Sequence, residues 1–258
     1  KKSILNLTES DYNENNLSEL LIYQSPYDIN LEVFNKVSRT ITGWPGGKPN
    51  ADDKYRPERA EPSKKRVLIF SPHPDDDVIS MGGTFARLVN QGHEVQVAYQ
   101  TSGNIAVNNS DVLKYLEVYS EISDNVKKSS KDLIKDIKNN NEILDDKDVR
   151  NMASLIREKE TLAATRFVGI PDSNVHFLKL PFYETGTVKK MPPSNSDIKI
   201  MIDIIKKIKP HQIYAAGDLA DPHGTHKVCL DVLFDVLELV KKKSYMKNCW
   251  VWLYRGAW

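Results

Sequence analysis

The sequence predicts an α/β fold: a mostly parallel sheet covered by helices on both faces. Three observations carry this. Short apolar runs alternate with helix-period patterns from about residue 65 to residue 254. The connections between them are rich in Gly, Pro, Asp and Asn, the residues that end one element and start the next. The two segments densest in histidine and aspartate each follow an apolar run, at a strand end, where open α/β sheets place their sites.

The elements follow in order. Residues 1–62 differ from the rest: Asn, Ser and Glu dominate, apolar residues are scattered, and only residues 30–39 suggest a short helix. Trp44-Pro-Gly-Gly-Lys-Pro49 and residues 56–62 read as a Pro/Gly-rich linker. Residues 1–62 are therefore expected to be an N-terminal extension or linker, and residues 63–258 the globular domain. Residues 65–71, with Val67-Leu-Ile-Phe70, form the first strand. Residues 78–91 form a helix with an apolar stripe of Ile79, Phe85, Leu88 and Val89, ended by Gly92. Gly82-Gly83 invites a phosphate-cradle reading, but G-x-G-x-x-G is absent, and close helix–strand packing is the simpler expectation. Residues 94–100 alternate Val95, Val97 and Tyr99 as a second strand. A short strand over 175–180, an Ile-rich helix over 196–207 closed by Pro210, a strand over 211–216, a helix over 223–240 and a strand over 249–254 complete a Rossmann-like alternation.

Residues 108–150 are the exception. They are dense in Lys, Asp, Asn and Ser. A helix over 112–122 is expected, with Leu113, Leu116 and Tyr119 on one side. Residues 127–147 read as a solvated insertion or flexible lid. The segment follows Thr101-Ser-Gly-Asn104, so it is expected near the same sheet edge, covering a substrate.

Composition bounds the function. A net charge of +1 over 258 residues argues against a nucleic-acid or membrane electrostatic footprint. No apolar run reaches the roughly 18 residues that span a bilayer. No signal peptide is recognisable, and the chain begins at Lys1 without Met. Cys229 and Cys249 make no disulfide framework and fit a reducing cytoplasm, with Cys229 on an apolar helix face.

The chemistry concentrates in His73-Pro-Asp-Asp-Asp77. Burying unpaired carboxylates costs several kcal/mol each, and a divalent cation removes much of that cost. The bland alternative is an Asp-rich helix cap. Asp221-Pro-His-Gly-Thr-His226 repeats the arrangement at a second strand end. His73, a carboxylate and His226 would then make a metal site with open positions, as catalytic metals require. His93, His176 and His211 stand alone and read as ordinary surface or structural histidines. Asp218 and Asp221 either orient a ligand histidine or cap a turn. Asp172 reads as a turn residue and Arg157 as a solvated ion pair with its helix neighbours.

Ser71-Pro-His-Pro-Asp-Asp-Asp77 together with Pro222-His-Gly-Thr-His226 resembles the PIG-L/LmbE family of metal-dependent N-deacetylases. Arg157-Glu-Lys-Glu160 with Ala163, Ala164 and Gly169, and Thr101-Ser-Gly103, are weaker matches; the resemblance runs from about residue 65 to residue 249. Asp77 stands where the family usually has Glu. The resemblance implies His73, Asp76 and His226 as metal ligands, at the C-terminal ends of the strands. It implies Asp75 as general base on the hydrolytic water, and His223 as oxyanion stabiliser or proton donor to the leaving amine. Arg157, with Ser102, Gly103 and Tyr183, becomes a candidate substrate contact, Tyr183 by stacking on a sugar face. Zinc is the expected metal; two histidines and a carboxylate suit iron(II) as well. Residues 44–59 with 71–80 are further similar to fusions of a glucosamine-6-phosphate deaminase-like domain with a C-terminal PIG-L-like domain, which implies an upstream partner domain in the same chain. The expected substrate is a small-molecule N-acetylglucosamine-type sugar or conjugate, possibly phosphorylated. Two alternatives stand: a non-catalytic metal- and sugar-binding domain serving the fused deaminase, and a hydrolase of another amide or ester. A pure binder has no need of Asp75 beside the ligands, which favours the enzyme.

Overall fold

The computed structural model describes residues 4–41, 64–139, 147–185, 190–218 and 220–256. The chain divides into two compact units, residues 1–63 and 64–258.

In the first unit, Thr8 caps α1 (Glu9–Glu14): its backbone N–H and its hydroxyl each donate to the Asp11 carboxylate at 2.7 Å. A second helix, α2 (Pro26–Ile41), starts four residues earlier than the expected 30–39. Proline at its first position, with Ser25 accepting from the Asp28 N–H, is a helix start that the scattered apolar pattern concealed. Tyr12 donates to Asn30 at 2.6 Å, and the Asn30 amide donates to the Leu7 carbonyl, so α2 is tied to the first turn. The expected linker at 44–49 and 56–62 lies outside the described residues.

Among the described residues, the second unit is built on five strands: β1 (Arg66–Ser71), β2 (Glu94–Tyr99), β3 (Val175–Phe177), β4 (Gln212–Ala216) and β5 (Trp250–Tyr254). Their order is β3-β2-β1-β4-β5 and every pairing is parallel. The sheet is therefore entirely, not mostly, parallel, and every strand delivers its C-terminal end to one edge. Central β1 is buried at Val67 through Ser71, the near-continuous apolar run of a strand covered on both faces. Alternation then divides the core. Leu68, Phe70, Ile213 and Ala215 pack with Met201 and Ile205 of α7 (Asn195–Ile208) and Leu233 and Val236 of α8 (Thr225–Val240). Val67, Ile69, Val97 and Tyr214 face the other way, with Phe85 and Leu88 of α3 (Asp76–Asn90) and Leu162 of α6 (Lys147–Phe167).

Several expectations need correction. The strand over 175–180 stops at Phe177, because Lys179 turns left-handed at φ 48°. The pairing continues irregularly, Leu180 N–H donating to the Gln100 carbonyl. Gly82 and Gly83 are not required by close packing: a Cβ at Gly83 meets nothing within 4 Å. They follow a break in α3 at Met81, whose φ of −137° is non-helical. The lid expected over 127–147 is in large part helix. α4 (Asn109–Ile122) and α5 (Asp124–Asn139) form a layer with α6 around Val112, Leu116, Ile137, Val149, Ala153 and Ile156. Leu133 and Ile134 join it, giving α5 a narrow apolar stripe that its charged majority hid. On α4, Val112 and Leu116 point inward while Tyr119 is exposed, so the expected face is turned by part of a step. Residues 140–146 lie outside the described residues.

Candidate metal centre

β1 ends at Ser71, and the next four residues fold back on themselves before α3 begins. The Ser71 hydroxyl donates to the His73 carbonyl at 2.6 Å, and Asp75 N–H donates to the same carbonyl at 2.8 Å. His73 N–H donates to Asp76 Oδ2 at 2.8 Å. These short-range bonds fix the ring of His73 beside the Asp76 carboxylate, with Nδ1 to Oδ2 at 3.2 Å.

The three consecutive aspartates then diverge. Asp75 caps α3 with its backbone but makes no side-chain cap bond. Its carboxylate instead meets Arg157 Nη2 of α6 at 2.9 Å. Asp76 turns to the histidines. Burial opposes its charge, but hydrogen bonds from His226 and His73 hold its carboxyl well below the usual carboxylate range. Asp77 turns inward, fully buried, and accepts from the Tyr99 hydroxyl at 2.7 Å. Burial pushes its pKa up to about 6, moderated by the Tyr99 hydrogen bond.

The second loop leaves the C-terminal end of neighbouring β4. Asp221 accepts both the His223 N–H and the His226 N–H at 2.9 Å, which winds the loop into the start of α8. Gly224 holds φ at 72°, a left-handed turn that favours glycine. His226 projects from the first turn of α8 to within 3.1 Å of His73 Nδ1 and 3.2 Å of Asp76 Oδ2, measured at Nε2. Its other nitrogen, Nδ1, lies 3.0 Å from the buried Asp218 carboxylate. Burial opposes charging this ring, but Asp76, Asp218 and Asp221 outweigh it and raise the pKa to about 9.

The expected ligands His73, Asp76 and His226 are thus brought together from two loops and one sheet edge. Donor atoms about 2.0–2.2 Å from one zinc ion stand ~3.0–3.5 Å apart at octahedral to tetrahedral angles, and the three edges here are 3.1–3.2 Å. The donor chemistry, two imidazole nitrogens and one carboxylate oxygen, fits a divalent metal. His223 is exposed and stands outside this triangle.

The remaining candidates have partners that no motif in the sequence pointed to. Ser102 is buried, with its N–H and hydroxyl both donating to Glu184, at 2.9 and 3.0 Å. Gly103 has φ of 62°, and a Cβ there would stand 2.9 Å from Pro74 and 3.4 Å from Arg157, so the loop after β2 braces both the His73 loop and the arginine. Tyr183 is only 4% exposed, its ring edge-on to His73 at 5.8 Å and covered by the Lys190 ammonium at 3.7 Å. It forms a wall of the site and offers no open stacking face. Arg157 is not paired with its helix neighbours; Glu158 goes to Lys179. Arg157 also lines a cleft of about 170 Å³ with Val107, Asp111, Lys114, Tyr115, Ile156 and Glu160. Sequence reasoning missed Glu184 and Gly256, whose N–H donates to Asp218 at 2.6 Å. Neither lies in a motif, and only the folded chain brings them to their partners.

Over 272 aligned residues the chain is 51% identical to a glucosamine-6-phosphate deaminase-like protein of Bacteroides thetaiotaomicron, covering all of this chain and 41% of that protein. The chain thus spans less than half the length of that relative. Its fold is similar to that of an N,N′-diacetylchitobiose deacetylase from Pyrococcus horikoshii, at TM-score 0.50 and 17% identity, over 86% of this chain and 68% of the other. The family model described as PIG-L, GlcNAc-PI de-N-acetylase, matches residues 68–237, which run from within β1 past β4 and include both histidine loops. The chain belongs to the PIG-L family.

Proposed function

We propose that this chain is a metal-dependent amide hydrolase that removes the acetyl group from an N-acetylglucosamine-type sugar or conjugate. The observation that carries this reading is the convergence of His73, Asp76 and His226, with the adjacent Asp75 paired with Arg157 instead of joining the cluster. A binding module needs the first three; the fourth is what hydrolysis adds. Family membership supports the same reading.

His73, Asp76 and His226 would hold the ion, with zinc as first choice and iron(II) as the alternative that the same donors suit. When bound, a divalent metal supplies Lewis acidity toward an amide carbonyl and toward water. Asp75 is the general base: it takes a proton from the attacking water at a carboxylate oxygen that Arg157 keeps oriented. His223, exposed at the rim of the second loop, stabilises the oxyanion or gives a proton to the departing nitrogen. Asp218 accepts from Nδ1 of His226, which keeps the Nε2 lone pair directed at the site. The amide C–N bond breaks, and acetate and a free amino sugar leave.

The cleft beside Arg157 supports a polar, ring-sized occupant: Asp111, Lys114 and Glu160 offer acceptors and donors to hydroxyls. Lys114 and Arg157 would also accommodate a phosphate, so the phosphorylated sugar belongs on the panel. The relative of which this chain spans 41% supports an upstream deaminase-like domain that would consume the deacetylated product. The free thiols Cys229 and Cys249 support a cytoplasmic setting; among the described residues no helix is long and apolar enough to cross a membrane.

The test is metal content per chain, paired with acetate release from N-acetyl amino sugars with and without 6-phosphate. About one equivalent of zinc or iron with acetate release is the expected result. Metal without acetate from any sugar sinks the deacetylase reading and leaves the binding module.

A further inference from the structure

We propose that Gly256 is a positioning residue for the metal centre, acting on His226 through Asp218. This rests on the metal reading above. Asp218 is 3% exposed, and both of its oxygens are committed. Oδ2 lies 3.0 Å from His226 Nδ1, and Oδ1 accepts the Gly256 N–H at 2.6 Å. A backbone amide from the segment after β5 therefore sets where the carboxylate stands, and the carboxylate sets the tautomer and tilt of the imidazole.

Two further contacts place that segment. Gly217 N–H donates to the Tyr254 carbonyl at 2.8 Å, which ties the end of β5 to the residue before Asp218. The Tyr254 hydroxyl donates to the Phe70 carbonyl at 2.9 Å, which ties it to the end of β1, just before the His73 loop. The edge strand thus touches both strands that carry the ligands.

The approach of residue 256 to Asp218 admits no side chain. A Cβ at Gly256 would overlap Asp218 Oδ2, the oxygen that faces His226, and crowd Cγ and Oδ1 as well. Any larger residue must move the carboxylate off the imidazole or move the segment off the carboxylate. Either way His226 loses its orienting partner while all three ligands remain in the chain.

Zinc affinity, measured by competition with a chromophoric chelator, tests this without reference to turnover. Gly256→Ala is expected to weaken zinc binding by about 10–100-fold, the usual effect of losing a group that orients a ligand histidine. Asp218→Ala is expected to do the same. In the Asp218→Ala background, Gly256→Ala should add nothing, because the clash and the hydrogen bond are both gone. Wild-type affinity in Gly256→Ala, or effects that multiply in the double variant, would overturn the proposal. If Gly256→Ala alone fails to fold, zinc binding weaker in the double variant than in Asp218→Ala would still overturn the proposal. A wild-type protein that binds no zinc would overturn the metal reading itself, and is thereby told apart from failure of the Gly256 link alone.

Discussion

The two edges of the sheet hold two pairs of histidines, and they use them in opposite ways. At the C-terminal edge, His73 and His226 face each other across 3.1 Å with Asp76 between them. At the N-terminal edge, His93 Nδ1 accepts the Lys65 N–H at 3.1 Å and His211 Nδ1 accepts the Arg66 N–H at 3.0 Å. Carboxylates surround the first pair and raise His226 to about 9. Burial lowers His93 to about 4, assisted by the Lys65 charge; burial also moves His211 downward, with Arg66 and Lys65 adding to it. His226 is held toward its charged form, whereas His93 and His211 are held toward their neutral form. The residue type does not decide the role; the sign of the charge that the fold delivers beside it does.

The largest effect that can break this contrast is removal of a ligand. His226→Ala is expected to leave no stoichiometric metal after gel filtration, whereas His211→Ala should retain the wild-type content. Equal metal loss in both variants would mean that the C-terminal pair has no special standing. Next in size is Asp75→Asn, expected to keep the metal and lose about 10²–10⁴-fold in acetate release, the range for a positioned general base. A drop of only a few-fold would move the base elsewhere and leave Asp75 as a mere anchor for Arg157.

Much of this contrast was legible in the sequence. His73, Asp76 and His226 announce themselves because short motifs place them where apolar runs end, and a parallel sheet sends all such ends to one edge. The N-terminal edge was not legible. His93 reads as an ordinary turn or surface histidine because its partner is a backbone N–H, and backbone donors carry no sequence signal. It is in fact buried, at 7% exposure. Tyr183 misled for a related reason: Phe182-Tyr183-Glu184 follows a proline like a surface loop, yet Glu184 is drawn in by Ser102 and the tyrosine goes with it. The α5 helix was hidden by average composition, since three apolar side chains, Leu133, Ile134 and Ile137, suffice to seat it.

A pH experiment sharpens the comparison at its N-terminal side. His93 has a folded pKa of about 4 against an ordinary value of 6.5. The unfolded chain therefore takes up this proton first. Its contribution is complete above about pH 6.5 and is lost as pH falls toward 4, with a ceiling of about 3 kcal/mol for a shift of this size. Denaturant unfolding of the wild type should show this loss, and His93→Gln, which keeps an acceptor for the Lys65 N–H without titrating, should flatten it. An unchanged slope in the variant would assign the acid sensitivity to other groups.

The smallest expected effect concerns the loop that delivers His226, and it separates scaffolding from ligation on the C-terminal side. Asp221 accepts two backbone N–H groups at the start of α8, those of His223 and His226. This is cap chemistry, and the burial that would raise its pKa is outweighed by those two hydrogen bonds, so it stays ionised below the usual range. Asp221→Ala should cost about 1–2 kcal/mol, or roughly 2–8 °C in the melting temperature of the metal-free protein. Asp221→Ser, which restores an acceptor at the cap, should recover most of it. Because Asp218 and Gly256 hold the ring of His226 independently of its backbone amide, metal content at saturating zinc should stay near wild type in both variants. Loss of metal in Asp221→Ala with an unchanged melting temperature would reverse the assignment, and would place Asp221 with the groups that serve the ion instead of those that build the loop.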